Sequence, residues 1–150
     1  MEKDVNVMKV EKNHINELTK MAIDLWPEED YEELHQFILS KLDCDEHVYF
    51  LATVEDKIVG FIYMSIRHEY VEGANSSPVG YVEGIYVKPE YRHMGIGRML
   101  ISKGEEWAKS KGCREVVSDI LYDNIASYNF HSKVGFREVS RLICFIKDIG

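Results

Sequence analysis

A strand, a glycine-bearing turn and a long amphipathic helix follow one another directly in the second half of the chain. The predicted strand Tyr81–Val87 is closed by Pro89, and the turn Arg92-His-Met-Gly-Ile-Gly97 leads at once into a helix over about Gly95–Lys111. A helix that follows a strand in this way can return the chain as a crossover, and crossovers require parallel neighbours. This order predicts a fold of the α/β type.

Apolar periodicity and turn residues predict the other elements. The remaining predicted strands are Val5–Val10, His47–Val54, Lys57–Tyr70, Glu115–Ser118 and Phe136–Ile146. The remaining predicted helices are one capped by Asn13 and ended by Pro27, one that begins near Asp30, and one over Ile125–Val134. We therefore expect an α/β (α+β) fold in a single domain over residues 1–150. Its mixed central sheet has an antiparallel N-terminal half and a parallel C-terminal half, flanked by about four helices.

Composition and charge exclude several classes of protein. The formal net charge of −8 disfavours nucleic acid as a partner, because an acidic surface repels phosphate. No apolar run approaches the roughly 20 residues needed to cross a bilayer. The charged start Met1-Glu-Lys-Asp4 leads into no apolar signal-peptide core. We expect a cytoplasmic protein that acts on neither nucleic acid nor membranes.

The cysteines and histidines do not form a recognisable metal or disulfide pattern. Cys44, Cys113 and Cys144 are odd in number and have no paired short spacing. The six histidines include no pair at metal-ligand spacing such as His-x-x-x-His. We expect reduced thiols and no metal.

The turn before the long helix has the properties of an anion-binding site. Gly95 and Gly97 allow positive φ and close approach of the backbone to a ligand. The free N–H groups at a helix start attract anions, and the helix dipole strengthens that attraction. A phosphate or pyrophosphate held by main chain, with Arg92 and Arg98 nearby, is one interpretation. The other is an ordinary strand-to-helix turn with two glycines.

The same turn resembles the signature of the GNAT superfamily of acyl-CoA-dependent N-acetyltransferases. That signature, Arg/Gln-x-x-Gly-x-Gly/Ala between a strand and a helix, matches Arg92-His-Met-Gly-Ile-Gly97. Two further matches are Asn124, which opens the next helix, and Val134-Gly-Phe136, which closes it. The order of elements also agrees. The resemblance implies the GNAT fold and acetyl-CoA as co-substrate.

A closer resemblance is to one branch of aminoglycoside 6′-N-acetyltransferases, and it covers nearly the whole chain, loops included. The segments that carry it are Leu25-Trp-Pro27, Ser65–Val71, Ser76–Val79, Glu83–Val87, Trp107-Ala108, Gly112–Glu115 and Ser118-Asp119. The resemblance implies that backbone groups of Ile85, Tyr86 and Val87 bind the acetyl and pantetheine portion. It further implies a pyrophosphate cradle of His93, Met94, Gly95, Ile96, Gly97 and Arg98, with Asn124 touching the cofactor.

The resemblance places Trp26, Tyr70, Glu83 and Asp119 around the aminoglycoside. The two carboxylates are also notable in themselves, because an unpaired carboxylate within the apolar strand at Glu83 is costly and Asp119 follows a strand at its carboxyl end. Carboxylates in a sheltered cleft suit a ligand with several ammonium groups. Alternatively, Trp26 simply ends a core helix, and Tyr70 is an ordinary residue of an edge strand.

Some positions depart from the pattern. Many GNAT enzymes carry a tyrosine four residues before the Gly-Phe pair, where it is thought to protonate the departing thiolate, and His131 stands there instead. Three alternatives are open for protonating the thiolate: His131, Tyr128 or no side chain at all. Glu29 and Ser140 replace the histidine and glutamate that are common in this branch, which leaves the preferred antibiotic open.

The favoured reaction is direct attack of a neutral amine on the thioester, with both substrates bound together. Glu83 is the first candidate for assisting the loss of the amine proton, acting directly or through water, and Asp119 is the second. The rivals are an acetyltransferase for a polyamine or protein amine, and a non-catalytic acetyl-CoA sensor. Homodimers are common among the proteins that the chain resembles.

Overall fold

The computed structural model describes residues 4–150, so the first three residues of the charged start lie outside the described residues. Five strands form one sheet in the order β1-β2-β3-β4-β5. They are β1 (Val5–Lys9), β2 (His47–Val54), β3 (Lys57–Arg67), β4 (Val79–Val87) and β5 (Val116–Ser118). Strands β1 to β4 pair antiparallel and β4 pairs parallel with β5. The predicted mixed sheet is confirmed.

Four α-helices accompany the sheet in the described part of the chain: α1 (Ile15–Leu25), α2 (Tyr31–Lys41), α3 (Ile96–Ser110) and α4 (Ile125–Lys133). Asp30 caps α2, since its carboxylate accepts a hydrogen bond from the backbone N–H of Glu33 at 3.1 Å. The predicted cap of α1 at Asn13 is wrong. Asn13 lies within a short 3₁₀ turn that is closed by a hydrogen bond between the Glu11 N–H and His14 Nδ1, and α1 begins only after it.

The two faces of the sheet carry two apolar clusters. Strands β2 and β3 send alternate side chains to opposite faces, so both faces are apolar. On one face Leu51 and Phe61 pack with Leu18 of α1 and Ile38 of α2. The opposite face packs Ile62, Met64 and their neighbours against α3. Strand β4 is therefore held between helices on both sides.

The hairpin between β2 and β3 turns where the sequence predicts. Glu55 and Asp56 both adopt positive φ, 51° and 65°, which suits a tight two-residue turn. Strand β3 ends at Arg67, whereas the prediction extended it to Tyr70. The reason is that Arg67 pairs with Val79, the first residue of β4, so that β4 offers no partner to residues 68–70.

The predicted final strand Phe136–Ile146 is wrong. Residues 136–150 contain no strand, and β5 pairs only with β4 among the strands that the structure describes. Strand geometry is stabilised by a hydrogen-bonded neighbour, and this segment has none within residues 4–150. A segment with strand composition thus remains outside the sheet, and residues 137–150 are exposed.

No helix within residues 4–150 combines the length and the apolar character required to cross a membrane.

Candidate active site

Strands β4 and β5 are paired only at their beginnings. The parallel register joins Gly80 to Val116, Tyr81 to Val117 and Val82 to Ser118, and it stops there. Strand β4 continues to Val87 while paired with β3 on its other side. From residue 83 onwards, the edge of β4 that faces away from β3 has no strand partner among the described residues. Successive residues of a strand direct their backbone groups to opposite edges, so only alternate residues of 83–87 offer N–H and C=O groups at this free edge. The use of Ile85, Tyr86 and Val87 by a ligand stays a prediction.

A β-bulge in β4 places Glu83 at the point where the two strands separate. In the register between β3 and β4, Tyr63 pairs with Gly84 and Met64 pairs with Val82, so Glu83 is the extra residue. A bulge of this kind re-aims a side chain and increases the local twist. It explains how a carboxylate is accommodated in an otherwise apolar strand.

Glu83 and Asp119 belong to one chain of polar contacts. The Glu83 carboxylate accepts hydrogen bonds from Ser65 Oγ at 2.9 Å and from the Arg67 guanidinium at 2.6 to 3.1 Å. The Arg67 Cζ atom lies 3.5 Å from the centre of the Tyr81 ring. The Tyr81 hydroxyl donates to Asp119 Oδ2 at 2.5 Å. The structure thus brings together the two carboxylates that the sequence singles out, through Arg67 and Tyr81.

The phenol of Tyr81 acts as a fixed donor to Asp119. Burial raises the pKa of Tyr81, and its hydrogen bond to the Asp119 carboxylate raises the pKa further. The hydroxyl therefore stays protonated at neutral pH and orients one oxygen of Asp119. Asp119 itself is exposed, directly after the end of β5. Its second oxygen accepts no hydrogen bond from residues 4–150 and is open to a cationic ligand.

Trp26 lies beside Glu83 because the next residue of β4 is glycine. A Cβ atom at Gly84 would overlap the indole of Trp26, with the indole Cη2 only 2.8 Å away, and would crowd Leu25 at 3.2 Å. The indole also contacts Phe61, with ring centres 5.9 Å apart. Trp26 therefore does end a core helix, and its partly exposed ring also covers β4 next to the carboxylate.

Replacing Gly84 by alanine is expected to displace the indole of Trp26. The overlap should lower the free energy of unfolding by about 1–3 kcal/mol, the usual range for overpacking, and should raise KM for an acceptor bound against the ring. Thermal unfolding and steady-state kinetics measure the two effects. In the Trp26→Ala background the added methyl meets no ring, so the same substitution should then have little effect. Equal losses in both backgrounds would show that Gly84 serves another purpose.

The start of α3 has the features of an anion site. Gly95 is its N-cap residue with φ of 81°, and His93 also has positive φ, 64°. A Cβ atom at Gly95 would meet nothing within 4 Å, so the space in front of the helix is open. The first N–H groups of α3 have no helical acceptor and point into that space.

The two arginines of the turn are engaged elsewhere. Arg92 Nε donates to the carbonyl of Val87 at 2.8 Å, which ties the turn to the end of β4. An Arg98 guanidinium N–H donates to the carbonyl of Lys133 at 2.9 Å, at the end of α4. Both guanidinium groups thus position the turn, and anion binding by its main chain stays a prediction.

The second glycine of the turn serves helix packing. A Cβ atom at Gly97 would lie 2.7 Å from Cε1 of Phe130, so glycine there allows α4 to pack closely on α3. Asn124 caps α4, because its side-chain oxygen accepts from the N–H of Ser127 at 3.1 Å. Its NH₂ group remains available, and its contact with a cofactor stays a prediction.

Tyr70 is not brought into contact with the carboxylates. It lies in the loop after β3, is 81% exposed, and donates its hydroxyl to Glu72 at 2.8 Å. Ser140 also donates to Glu72, at 3.2 Å. Within the described part of the chain, no hydrogen bond links Tyr70 to Glu83 or Asp119, and its role stays a prediction.

The candidates for protonating a leaving group are both committed to other partners. His131 Nδ1 lies 2.7 Å from the Ser127 carbonyl, which can only accept, so Nδ1 carries the proton. In the neutral ring, Nε2 then accepts from Ser118 Oγ at 2.7 Å. The Tyr128 hydroxyl donates to Glu138 at 2.9 Å, and this hydrogen bond raises the pKa of Tyr128. Neither residue presents a free acidic proton.

Three residues of the network were not assigned a role from the sequence: Ser65, Arg67 and Tyr81. Ser65 and Arg67 are two residues apart on β3, so they share a face of the sheet. The sequence signal that could have identified them is a pair of polar residues, two positions apart, at the end of the long apolar run of β3. Their contact with Glu83 depends on the bulge, for which the sequence of β4 gives no separate indication.

Comparisons with known proteins agree with this geometry. The sequence matches the model of the acetyltransferase (GNAT) family over residues 13–136. It is 36% identical to an aminoglycoside N(6′)-acetyltransferase type 1 of Acinetobacter baumannii, across 97% of this chain and 100% of that relative.

Two solved structures are similar over nearly their full length. One is AAC(6′)-Iy in complex with the bisubstrate analogue CoA-S-monomethyl-acetylneamine, with a TM-score of 0.92, 33% identity and coverage of 97% of this chain and 99% of that one. The other is the aminoglycoside 6′-N-acetyltransferase AAC(6′)-Ih from Acinetobacter baumannii, with a TM-score of 0.92, 33% identity and coverage of 98% and 100%. The likeness therefore includes the loops around the carboxylates and most of the C-terminal segment.

Proposed function

We propose, from the premise that the chain belongs to the acetyltransferase (GNAT) family, that it transfers the acetyl group of acetyl-CoA to the 6′-amine of aminoglycosides. The observation that carries this proposal is the linked pair Glu83 and Asp119 at the opening between β4 and β5, next to Trp26. This pair supports an anionic acceptor site at the place where the two strands separate.

Acetyl-CoA is expected to bind along β4 and across the start of α3. The pyrophosphate suits the N–H groups at residues 93–98, with Gly95 supplying the positive φ and the open space. The pantetheine and acetyl portions would use the backbone of Ile85, Tyr86 and Val87, and Asn124 would contact the cofactor. The tie between Arg92 and Val87 supports this assignment, because it fixes the turn relative to the end of β4.

The acceptor site is suited to a polycationic sugar. Asp119 has one oxygen without a hydrogen-bond partner in residues 4–150, and Glu83 is 23% exposed at its side chain. Trp26 supplies an apolar wall on which the face of a sugar ring can lie. Ammonium groups of the antibiotic would pair with the carboxylates, and Tyr70 would complete the site from its loop.

The reaction is nucleophilic attack by the neutral 6′-amine on the thioester carbonyl. A C–N bond forms, the C–S bond breaks, and the negative charge on the carbonyl oxygen is stabilised by a backbone N–H within residues 85–87. Holding both substrates in register supplies a large part of the acceleration.

The amine must lose one proton before or during attack. Glu83 is the first candidate to direct this proton away, directly or through a water molecule, since Ser65 and Arg67 hold its carboxylate in one orientation. Asp119 is the second candidate. For the departing thiolate, the engagement of His131 with Ser118 and of Tyr128 with Glu138 favours a mechanism without a side-chain acid.

A matched pair of antibiotics tests the position of acetylation. An aminoglycoside with a 6′-hydroxyl in place of the 6′-amine keeps its other ammonium groups and should still bind. It should accept little or no acetyl group, because an alcohol is a much poorer nucleophile and the other amines lie away from the thioester. Mass spectrometry of the products measures the transfer.

Equal acetylation of both members of the pair would show that the 6′ assignment is wrong. Acetylation of spermidine or a peptide amine alone would assign the enzyme to a different acceptor. Binding of acetyl-CoA without turnover of any amine would favour a sensor. Each result leaves the family membership intact.

Three broader expectations accompany this proposal. We propose one catalytic domain over residues 1–150, a cytoplasmic location and assembly as a homodimer. No metal is expected to take part.

A further inference from the structure

The two carboxylates of the acceptor site favour binding of a cation but disfavour its reaction. Under the proposed function, Glu83 and Asp119 attract the ammonium groups of the acceptor. An ammonium group has no lone pair, however, and only a neutral amine can attack the thioester. Two carboxylates acting alone would stabilise the charged form and so raise the pKa of the bound amine. A fixed positive charge in the site would offset this effect.

Arg67 supplies a positive charge that is held in place at Glu83. Its Nε and Nη2 atoms donate to Glu83 Oε1 at 3.1 and 2.6 Å, and Nη2 lies 3.0 Å from Oε2. A cation–π contact with the Tyr81 ring fixes the guanidinium from its other side. Burial lowers the pKa of Arg67, but the hydrogen bond to Glu83 and the charges of Glu83 and Asp119 raise this pKa by more. The guanidinium therefore stays charged throughout the pH range of an assay.

The Glu83 carboxylate still has capacity for an acceptor amine. Its Oε1 atom accepts three hydrogen bonds, one from Ser65 Oγ and two from Arg67. Its Oε2 atom accepts only one within residues 4–150, whereas each carboxylate oxygen has about two acceptor sites. An amine that pairs with Oε2 would lie within roughly 4–6 Å of the guanidinium, because both groups would then bind the same carboxylate. At that separation a charge of the same sign lowers the pKa of an amine.

The imidazole and phenol groups around this ion pair keep their charge constant near neutral pH. The titratable and charged groups that surround Glu83 and Arg67, or affect those neighbours, are His47 and Tyr49 of β2, Tyr63 of β3, Tyr81 of β4, Asp119 after β5, Lys41 of α2, and Cys44 and Glu46 before β2. Burial and the charge of Lys41 lower the pKa of His47, so its ring is neutral above pH 7. Burial raises the pKa of all three tyrosines, so they stay protonated up to pH 9. No imidazole or phenol of this group therefore changes its charge between pH 7 and pH 9.

We propose that Arg67 is a positioning residue that keeps the acceptor amine in its neutral, reactive form. Its charge beside Glu83 makes the ammonium form of the bound amine less stable. Glu83 and Asp119 together still leave the site with a net negative charge, so the polycation as a whole is attracted while its reacting nitrogen loses a proton near neutral pH. This inference rests on the proposed function in one respect, namely that the acceptor is an amine.

Two substitutions of Arg67 separate its charge from its shape. Arg67→Met keeps an unbranched stem without the charge, and Arg67→Lys keeps the charge without the two-pronged hydrogen bond. The kcat for acetyl transfer should rise with pH through the pKa of the amine in the ternary complex. In Arg67→Met the midpoint of this rise should shift upward by about one pH unit, so that kcat at pH 7 falls about tenfold and recovers at high pH. In Arg67→Lys the midpoint should stay close to that of the parent chain.

Two further measurements distinguish this effect from a loss of structure. The KM for the acceptor should not rise in Arg67→Met, because the site becomes more negative, whereas a disordered site would bind the acceptor less well. An NMR titration of an aminoglycoside labelled with ¹⁵N at the 6′-amine, bound together with CoA, measures the pKa of the bound amine without turnover and should show the same upward shift. Lys20→Met changes the net charge equally at an exposed position of α1, where Lys20 pairs with Glu17, and its pH profile should match that of the parent chain.

The outcomes separate this inference from the proposed function. An unchanged midpoint in Arg67→Met, or equal shifts in Arg67→Met and Arg67→Lys, would overturn the role of the Arg67 charge while acetylation of the 6′-amine by the parent chain stands. If the parent chain acetylates a polyamine instead, the 6′ assignment is wrong, and the same comparison with that amine decides the role of Arg67. A parent chain that acetylates no amine would overturn the proposed function and this inference together.

Discussion

Glu83→Gln is expected to lower kcat/KM for acetyl transfer by about a hundredfold, at the lower end of the range for loss of a positioned acid or base. Glutamine is nearly isosteric, and its carbonyl oxygen can still accept hydrogen bonds from Ser65 and Arg67. The variant loses the negative charge that, under the proposed function, binds the ammonium group and receives its proton. Because Glu83 and Arg67 are 23% and 43% exposed at their side chains, solvent screens the pair and the melting temperature should change little.

Glu46→Gln is the matched control. Glu46 also accepts a hydrogen bond from a basic side chain, His68 at 2.7 Å, but it lies at the exposed start of β2. This variant should retain full activity. A Glu83→Gln variant with full activity from pH 6 to pH 9 would remove Glu83 from the mechanism and make Asp119 the next candidate.

The sequence predicted the helices and most of the sheet because these depend on local patterns, and the site residues stay a prediction. Apolar periodicity located α2, which begins after Asp30, and the turn residues Glu55 and Asp56 between two apolar runs located the hairpin. Glu83 and Asp119 were identified as unusual from their positions in or after apolar strands. All of these signals are contained within short windows of sequence.

The contacts that orient the site depend on register, which short windows do not contain. The bulge at Glu83 follows from the pairing of β3 with β4, and only this pairing brings Arg67 to the carboxylate. The role of Gly84 likewise depends on contacts between residues that are distant in the sequence. In the sequence it is one glycine in a strand, but in the fold it makes room for the indole of a residue more than fifty positions earlier.

The C-terminal segment shows the limit of a single chain. Its composition predicts a strand because its apolar side chains suit a pleated, half-buried surface. A strand also needs a neighbour with free hydrogen-bonding groups, and residues 4–150 offer the segment none in its observed position.

The helix α3 is flanked by two glycines that form a natural pair for testing the pyrophosphate site. Gly95 precedes the helix with φ of 81°, and Gly112 follows it with φ of 88°. A Cβ atom at either position would meet nothing within 4 Å. A side chain at either position therefore causes the same kind of backbone strain, about 1–2 kcal/mol, without a collision. The two positions differ mainly in which end of the helix dipole they occupy.

Gly95→Val should weaken binding of acetyl-CoA at least about tenfold, or about 1.4 kcal/mol, whereas Gly112→Val should leave the affinity unchanged. A valine at the N-cap shifts the first N–H groups of α3 and occupies the space that the pyrophosphate needs. The melting temperatures of both variants should fall by similar amounts, so Gly112→Val controls for the effect of backbone strain. Calorimetry with acetyl-CoA measures the affinities. Unchanged affinity in a folded Gly95→Val variant, or equal weakening in both variants, would contradict main-chain binding at residues 93–98.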